Sequence, residues 1–333
     1  MDVTIKDIAR ECGVNVSTVS RSLSGSYGVR EQTRQQVLEA AKRMNYRPNR
    51  VARAMATGKS QTLALVISDV RNPFFAELAR GAEDAAYAAG FDLILCNSDL
   101  DAGKQMQYIR SLIGKRVDGI VMNSVTPLSR SERAELGGYG VPIVVLNRVA
   151  GLEGFSSVAA DNVAGGRMAG EYLIGMGHRQ IGHLTGRKLQ GNLNDRTLGF
   201  LEAVEAAGAV EVELLRGQHS MEGGYELTHV LMGRPMNITA IFAANDAMAF
   251  GAIRALMELG KQVPREISLI GFDNVELGAI VHPPLTTIQQ PKYEMGKAAV
   301  EILLSRRDAL DLPEHRVLGV RLIERQSTRR ISG

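Results

Sequence analysis

Asn15-Val16-Ser17-Thr18-Val19-Ser20-Arg21 is the stretch around which this 333-residue chain is organised. Asn15 can cap a helix, because its side-chain oxygen can accept a hydrogen bond from an orphan backbone N–H of the first turn. Val19 and Leu23 then share one face at i, i+4, while Ser17, Thr18, Ser20 and Arg21 spread over the opposite arc. Small hydrogen-bonding groups and one long cation on a short helix suit the major groove of a duplex. Upstream, Thr4-Ile5-Lys6-Asp7 has the Ser/Thr-x-x-acid form of a helix start, and Ile5, Ile8, Ala9 and Cys12 recur at helical spacing until Gly13 breaks the run. A helix, a glycine-containing turn and a second helix with a polar outer face describe a helix-turn-helix. A surface helical hairpin is the plainer alternative.

Beyond this motif, Ser24-Gly25-Ser26-Tyr27-Gly28 reads as a turn-rich loop, and a third helix is expected from about Glu31, with Val37, Ala41 and Met44 as its apolar stripe, ending before Pro48. Asn49-Arg50-Val51-Ala52-Arg53-Ala54-Met55-Ala56-Thr57-Gly58 has helical composition but is too short for a stable isolated helix. It reads as a linker that orders conditionally. Charge supports the division: residues 1–60 carry 11 Lys/Arg against 5 Asp/Glu, whereas the whole chain is only +3. Such a basic head suits a phosphate-facing surface, since neutralised phosphates release condensed counterions, although a charge excess is also often only a solvated face.

From Thr62 onward the texture alternates. Leu63 to Ile67 is a continuous apolar run, as in a strand buried on both faces, and the signal recurs at 91–96, 119–122 and 143–146 with helical patterns between. A second unit with the same rhythm is expected to begin near Ala159 and run through strands at 181–184, 212–215, 240–243 and 267–270. A late strand near 286–288, a helix at 292–304 and one strand over 317–323 are expected to return to the first unit. The fold class is therefore α/β, two lobes of doubly wound parallel sheets behind a small all-α headpiece. The expected domains are a headpiece at 1–47, a hinge at 48–60 and a core at 61–333. Within the core, lobe 1 is expected at about 61–158 plus 292–323, and lobe 2 at about 159–290 plus 324–333. A gap between two such lobes is a favoured ligand site.

Cys12 and Cys96 fit no zinc or disulfide spacing and read as small core residues in a reducing compartment. The start is a capped amphipathic helix rather than a signal peptide, and no apolar run reaches a membrane span, so a cytoplasmic protein is expected. No Gly-x-Gly-x-x-Gly, Walker loop, Gly-x-Ser-x-Gly elbow or metal-ligand cluster is present, so neither an enzyme nor a cofactor is expected. A transport receptor would share the core but would lack the basic head.

In this order of features the chain resembles the lactose-repressor/galactose-repressor family of bacterial transcription factors, and its core resembles periplasmic ribose-type sugar-binding proteins. The resemblance rests on Thr4-Ile5-Lys6-Asp7-Ile8-Ala9, Val19-Ser20-Arg21, Tyr46-Arg47-Pro48-Asn49, Ala52-Arg53, Asn72-Pro73-Phe74-Phe75, Gly177-His178-Arg179, Ala244-Asn245-Asp246, Gly271-Phe272-Asp273 and Gln290-Pro291. It implies a homodimeric repressor that binds a near-palindromic operator duplex and answers to a small-molecule effector, with symmetry in the protein mirrored in the DNA. Val16, Ser17 and Arg21 would face base edges, Arg21 bidentate to guanine; Thr4, Asn15, Thr18, Ser20 and Thr33 would meet phosphates. In the hinge, Met55 stands where relatives insert a leucine into the minor groove, with Asn49, Ala52 and Arg53 alongside. Arg30 replaces the usual small capping hydroxyl before the third helix.

For the effector, Asn72, Phe74, Phe75, Arg148, Arg196, Asn245, Asp273 and Gln290 match the ribose-type site by motif. Asn147 stands where that site has an acid, and His219 where many relatives have an aromatic ring. These two departures disfavour ribose itself and leave a sugar or related metabolite, while Gln190 in place of an arginine disfavours a purine. Each residue also has a plainer role: Phe74 and Phe75 as core, Arg196 with Asp273 as an interlobe ion pair, Asn245 as a helix cap.

Overall fold

In the computed structural model the described residues are 3–46, 59–123, 128–147, 152, 154–186, 192–305 and 312–331. The chain divides into two compact units, residues 1–60 and 61–333. The first contains helices α1 (Ile5–Cys12), α2 (Val16–Leu23) and α3 (Glu31–Arg43). Gly13 takes the left-handed conformation, φ 66°, that closes α1 and turns the chain into α2. Ile8, Val19 and Val37, one from each helix, are fully buried together. The hinge residues Asn49, Ala52, Arg53 and Met55 lie outside the described residues.

The second unit holds two six-stranded sheets. In the first, β1 (Thr62–Ile67), β2 (Asp92–Asn97), β3 (Gly119–Asn123), β4 (Ile143–Leu146), β5 (Ser156–Ala160) and β11 (His315–Leu318) run in the order β11-β5-β4-β3-β1-β2. All its pairings are parallel. On β1, Leu63, Leu65 and Ile67 face α4 (Phe74–Ala88) and α12 (Lys292–Ser305). Ala64 and Val66 face α5 (Ala102–Gly114) and α6 (Arg130–Gly138). Burial on both faces is what makes the strand read as an unbroken apolar run.

The second sheet comprises β6 (Gln180–Gly186), β7 (Glu211–Gly217), β8 (Ala240–Ala243), β9 (Ser268–Asp273), β10 (Thr286–Gln289) and β12 (Arg321–Ile323), in the order β12-β10-β9-β8-β6-β7. Helices α7 (Asn162–Gly175) and α8 (Asn192–Ala207) cover one face, and α9 (Met221–Met232) and α10 (Asp246–Glu258) pack on the other; a short α11 (Leu277–Ile280) follows β9.

Three expectations need correction. The late strand near 286–288 does not return to the first lobe: β10 lies in the second sheet, between β9 and β12. The first sheet does not end before Ala159: Ser156–Ala160 is a strand paired with β4, so the chain leaves the first lobe at Asp161. Nor is 317–323 one strand returning to the first lobe. Its first part, in β11, pairs with β5, whereas β12 pairs antiparallel with β10 in the second sheet. The crossing falls at Gly319-Val320, where the backbone must leave one sheet for the other. Three short connections therefore join the lobes, at Asp161, Gln290-Pro291 and Gly319-Val320.

Candidate functional site

On the headpiece, the sequence from Asn15 to Arg21 forms α2 and its cap. Asn15 has the extended backbone of a capping residue, φ −72° and ψ 152°, but its side chain makes no capping hydrogen bond, contrary to the sequence expectation. Val19 is fully buried and Ser22 is anchored by its hydroxyl donating to the Thr18 carbonyl at 2.8 Å. This fixes the outward arc. Asn15, Val16, Ser17, Ser20 and Arg21 are exposed on it, and Thr18 on α2 and Thr33 on α3 are half-buried. An exposed valine, 41% accessible, beside serines and an arginine gives this face both apolar and hydrogen-bonding groups. Thr4 closes the expected capping box: its backbone N–H and its hydroxyl both donate to Asp7, at 2.9 and 2.6 Å. Arg30 precedes α3 without a side-chain cap.

In the second unit the effector candidates gather at the carboxyl ends of strands, where parallel sheets present their ligand sites. Asn147 follows β4, His219 follows β7, Asn245 follows β8, Asp273 ends β9 and Gln290 follows β10. Arg148 and Gln190 lie outside the described residues. Arg196 is 3% accessible and four groups hold it. Its Nε donates to Asn162 Oδ1 at 2.8 Å and its Nη1 to the Ala244 carbonyl at 2.5 Å, with Asp273 Oδ1 at 3.4 Å. The guanidinium lies 3.7 Å from the centroid of Phe272. Both Arg196 and Asp273 belong to the second lobe, so the pair is not interlobe. The α7–α8 contact enforces this placement: a Cβ added to Gly166 would stand 1.9 Å from the Arg196 carbonyl oxygen, so only glycine lets the helices meet so closely.

Asp273 accepts from Gln290 Nε2 at 2.6 Å, and its backbone carbonyl accepts from the buried Lys292 ammonium at 2.8 Å. The same ammonium reaches the Asn274 carbonyl and pairs with Glu77 of α4 at 3.1 Å, so it links the two lobes. Burial raises the Asp273 carboxyl and Arg196 pulls it back down. Asp246, equally buried, is pushed up to about 7 by burial and by the negative charge of Asp273. Its two oxygens accept from the Thr287 hydroxyl and the Val275 N–H at 2.6 and 2.9 Å. Burial, aided by Arg196, lowers His219 to about 4, so its imidazole is neutral near pH 7.

Three polar atoms shielded from solvent in this set have no hydrogen-bond partner among the described residues: Asn147 Oδ1, His219 Nε2 and Gln290 Oε1. Asn147 is otherwise engaged, its Nδ2 donating to Asn123 Oδ1 at 3.2 Å, and Asn123 Nδ2 donating in turn to Ser68 Oγ at 3.1 Å. Ser68 and Asn123, absent from the sequence expectation, thus complete a neutral polar row across β4, β3 and β1. The other candidates divide. Asn72 Oδ1 is used locally, accepting from Phe74 N–H at 3.0 Å, and Asn245 Oδ1 caps α10 by accepting from Met248 N–H at 2.8 Å. Phe74 and Phe75 are 5% and 6% accessible, edge-to-face at 5.1 Å, within the apolar core. Their packing role is the plainer one.

Among the described residues no group of three or more His, Cys, Asp or Glu could hold a metal ion, and no helix is long and apolar enough to cross a membrane.

Comparisons with known proteins agree with this geometry. Residues 4–49 match the model for bacterial regulatory proteins of the lacI family, and residues 171–328 that for a periplasmic binding protein-like domain. The chain is 39% identical to an HTH-type transcriptional repressor PurR of Pectobacterium carotovorum subsp. carotovorum, over 91% of this chain and 90% of that one. It is 34% identical to the ribose operon repressor of Halalkalibacterium halodurans, over 98% and 97%. Among solved structures, a lac repressor dimer bound to operator and the anti-inducer ONPF superposes with a TM-score of 0.87 at 27% identity, covering 99% of this chain and 100% of that one. By its three-helix headpiece, its two-sheet core and identity above 30% across nearly its whole length, the chain belongs to the lacI family of bacterial regulatory proteins.

Proposed function

We propose that this protein is a transcriptional repressor that binds operator DNA as a homodimer through α1–α3 and responds to a small, neutral, polyhydroxylated effector, a sugar or close relative. A regulator of chromosomal DNA acts in the cytoplasm. Val16, Ser17 and Arg21 read base edges, and Thr4, Asn15, Thr18, Ser20 and Thr33 set register on phosphates. In the hinge, Met55 supplies an apolar wedge, with Asn49, Ala52 and Arg53 beside it. The lac repressor neighbour was solved as a dimer on operator, and a relative is named for the ribose operon.

The observation that carries the effector reading is the trio of solvent-shielded atoms without a partner among the described residues, Asn147 Oδ1, His219 Nε2 and Gln290 Oε1. Buried polar groups in native proteins are nearly always paired, so these three await hydroxyl donors or acceptors. The charges favour neutrality in the ligand: Asp273 already balances Arg196, and the row Asn147, Asn123, Ser68 is uncharged. Asn72, Phe74, Phe75, Arg148 and Asn245 complete the proposed site.

A thermal-shift screen of pentoses, hexoses and their phosphates tests this. A neutral sugar at a hundred times its dissociation constant stabilises the fold by about 2.7 kcal/mol. Shifts with sugar phosphates alone, or with no sugar at all, would refute the neutral-sugar reading.

A further inference from the structure

Lys292, the first residue of α12, has a side chain only 2% accessible, and burying an ammonium is costly unless its hydrogens are met. Here all three are met. Nζ donates to the Asp273 and Asn274 carbonyls, each at 2.8 Å, and pairs with Glu77 at 3.1 Å. An ammonium offers three donors, so this one is fully committed.

The two carbonyls belong to a strained piece of backbone. Asp273 and Asn274, at the end of β9, have φ 120° and 52°, on the side of the map that residues with a Cβ avoid. Asparagine tolerates its value, whereas 120° lies outside even the small left-handed well. A residue keeps such a conformation only where its surroundings impose it. Asn274 is tied down by its N–H donating to the Thr287 hydroxyl at 3.3 Å and by Arg325 Nη2 donating to its Oδ1 at 2.7 Å. Lys292 adds a charged clamp on both carbonyls at once. Asp273 also carries the carboxylate that meets Arg196 and Gln290, and a rotation of the backbone there would swing it away from them. Whatever holds the turn therefore sets the aim of that carboxylate.

We infer that Lys292 is a positioning residue of the effector site: it clamps the strained Asp273-Asn274 turn and, through Glu77 on α4, ties the clamp to the first lobe. The aim of the Asp273 carboxylate then depends on how the two lobes stand. The inference rests on the effector-site reading, and Lys292 itself makes no contact with the effector.

Lys292→Met keeps the stem and removes the ammonium, while Glu77→Gln, at a side chain 49% accessible, removes only the tie to the first lobe. The full-length wild type and both variants are titrated calorimetrically with aldopentoses and aldohexoses, D-ribose and D-glucose among them, and amide exchange is followed by mass spectrometry without sugar. Lys292→Met is expected to weaken binding about tenfold, the size of one hydrogen bond to a charged group, and to speed exchange at the Asn274 and Val275 amides by a similar factor. The Leu269 amide, which donates to the Ser327 carbonyl at 2.7 Å in the same strand, is expected to exchange as in wild type. A merely structural lysine would speed Leu269 as much as the turn, or would leave the affinity alone. Glu77→Gln is expected to melt as wild type and to bind about threefold more weakly, as for a partly exposed ion pair. Unchanged affinity or unchanged exchange at the turn in Lys292→Met would overturn the positioning role, and wild-type affinity in Glu77→Gln would overturn the tie to the first lobe. If wild type binds none of these sugars, the effector-site reading fails instead, and exchange at the turn alone decides whether Lys292 holds it.

Discussion

Replacing Arg196 with methionine should expose how much of the core's stability depends on one buried charge pair. The side chain is 3% accessible and Asp273 5%, so water can do little to screen either charge. Arg196→Met leaves the Asp273 carboxylate beside an apolar chain and deprives the Asn162 amide oxygen and the Ala244 carbonyl of their donor. Removing one partner of a buried pair costs about 3–5 kcal/mol, because the other charge is left uncompensated. Gln290 still donates to the Asp273 carboxylate and the nearby Lys292 ammonium still offsets its charge, which places the cost near the lower end, about 3 kcal/mol. At roughly 2 °C per kcal/mol for a chain of this size, the melting temperature should fall by about 6 °C.

Adding Asp273→Asn removes the stranded charge and should restore more than half of the loss, so the two substitutions are strongly non-additive. The sign of the pH effect follows from the same picture. Burial already raises Asp273, and losing Arg196 raises it further, so protonation relieves the variant as pH falls. Its deficit should therefore be larger at pH 8 than at pH 5. Urea unfolding of the full chain, the two single variants and the double variant at both pH values provides the measurement. A loss under about 1 kcal/mol, additivity within about 0.5 kcal/mol or a deficit independent of pH would each refute the reasoning.

Other expectations follow from individual residues. Gly251→Ala should cost roughly 1–3 kcal/mol, because its new Cβ would stand 1.9 Å from the Met221 carbonyl oxygen between α9 and α10, whereas Gly175→Ala, with nothing within 4 Å, should be neutral or stabilising by melting. Asp246, raised to about 7 when folded, holds a proton that the unfolded chain sheds near its ordinary value of 3.8. Stability should thus fall as pH rises between these limits, and Asp246→Asn should flatten that slope; equal slopes in the two proteins count against it. Thr4→Ala breaks the capping box at α1 and should cost the headpiece about 1 kcal/mol, read by its own melting transition, while the core transition stays put.

Alternation was legible from sequence wherever a strand is apolar on both faces, as in Leu63–Ile67. The strand Ser156–Ala160 was not, because two serines interrupt its pattern. Ser156 and Ser157 are 2% and 7% accessible, and their partners come from far along the chain. The Ser156 hydroxyl accepts from Glu314 N–H at 3.1 Å, and that of Ser157 lies 2.9 Å from His315 Nδ1. Information placed 158 residues away does not appear in a local pattern. For the same reason the run 317–323 looked continuous: its apolar residues continue through Gly319-Val320, and only the partner strands differ.

The site divides similarly. Motif-bearing residues such as Arg196, Asp273 and Gln290 were found, and they do converge. Ser68, Asn123 and Lys292 were missed, since an ordinary serine, asparagine or lysine acquires meaning only from the strand end on which it sits. Asn15 adopts the expected capping backbone without the side-chain bond, a detail that no spacing rule reports.

The three connections between the lobes carry a mechanical consequence. Because β5 neighbours β11 and β10 neighbours β12, the links run side by side, and the Asp161 N–H donates to the Leu318 carbonyl at 2.8 Å, tying one to another. Such a bundle should swivel about a single axis more readily than it shears, which makes tilting the expected soft motion of the core. Two of the links are also fastened to one ion pair, through Asn162 on Arg196 and Gln290 on Asp273. Any molecule that draws on that pair therefore pulls directly at the pivot, with no relay through the sheets. A single cut at 319–320 would leave two spans intact, and the severed fragments should stay joined.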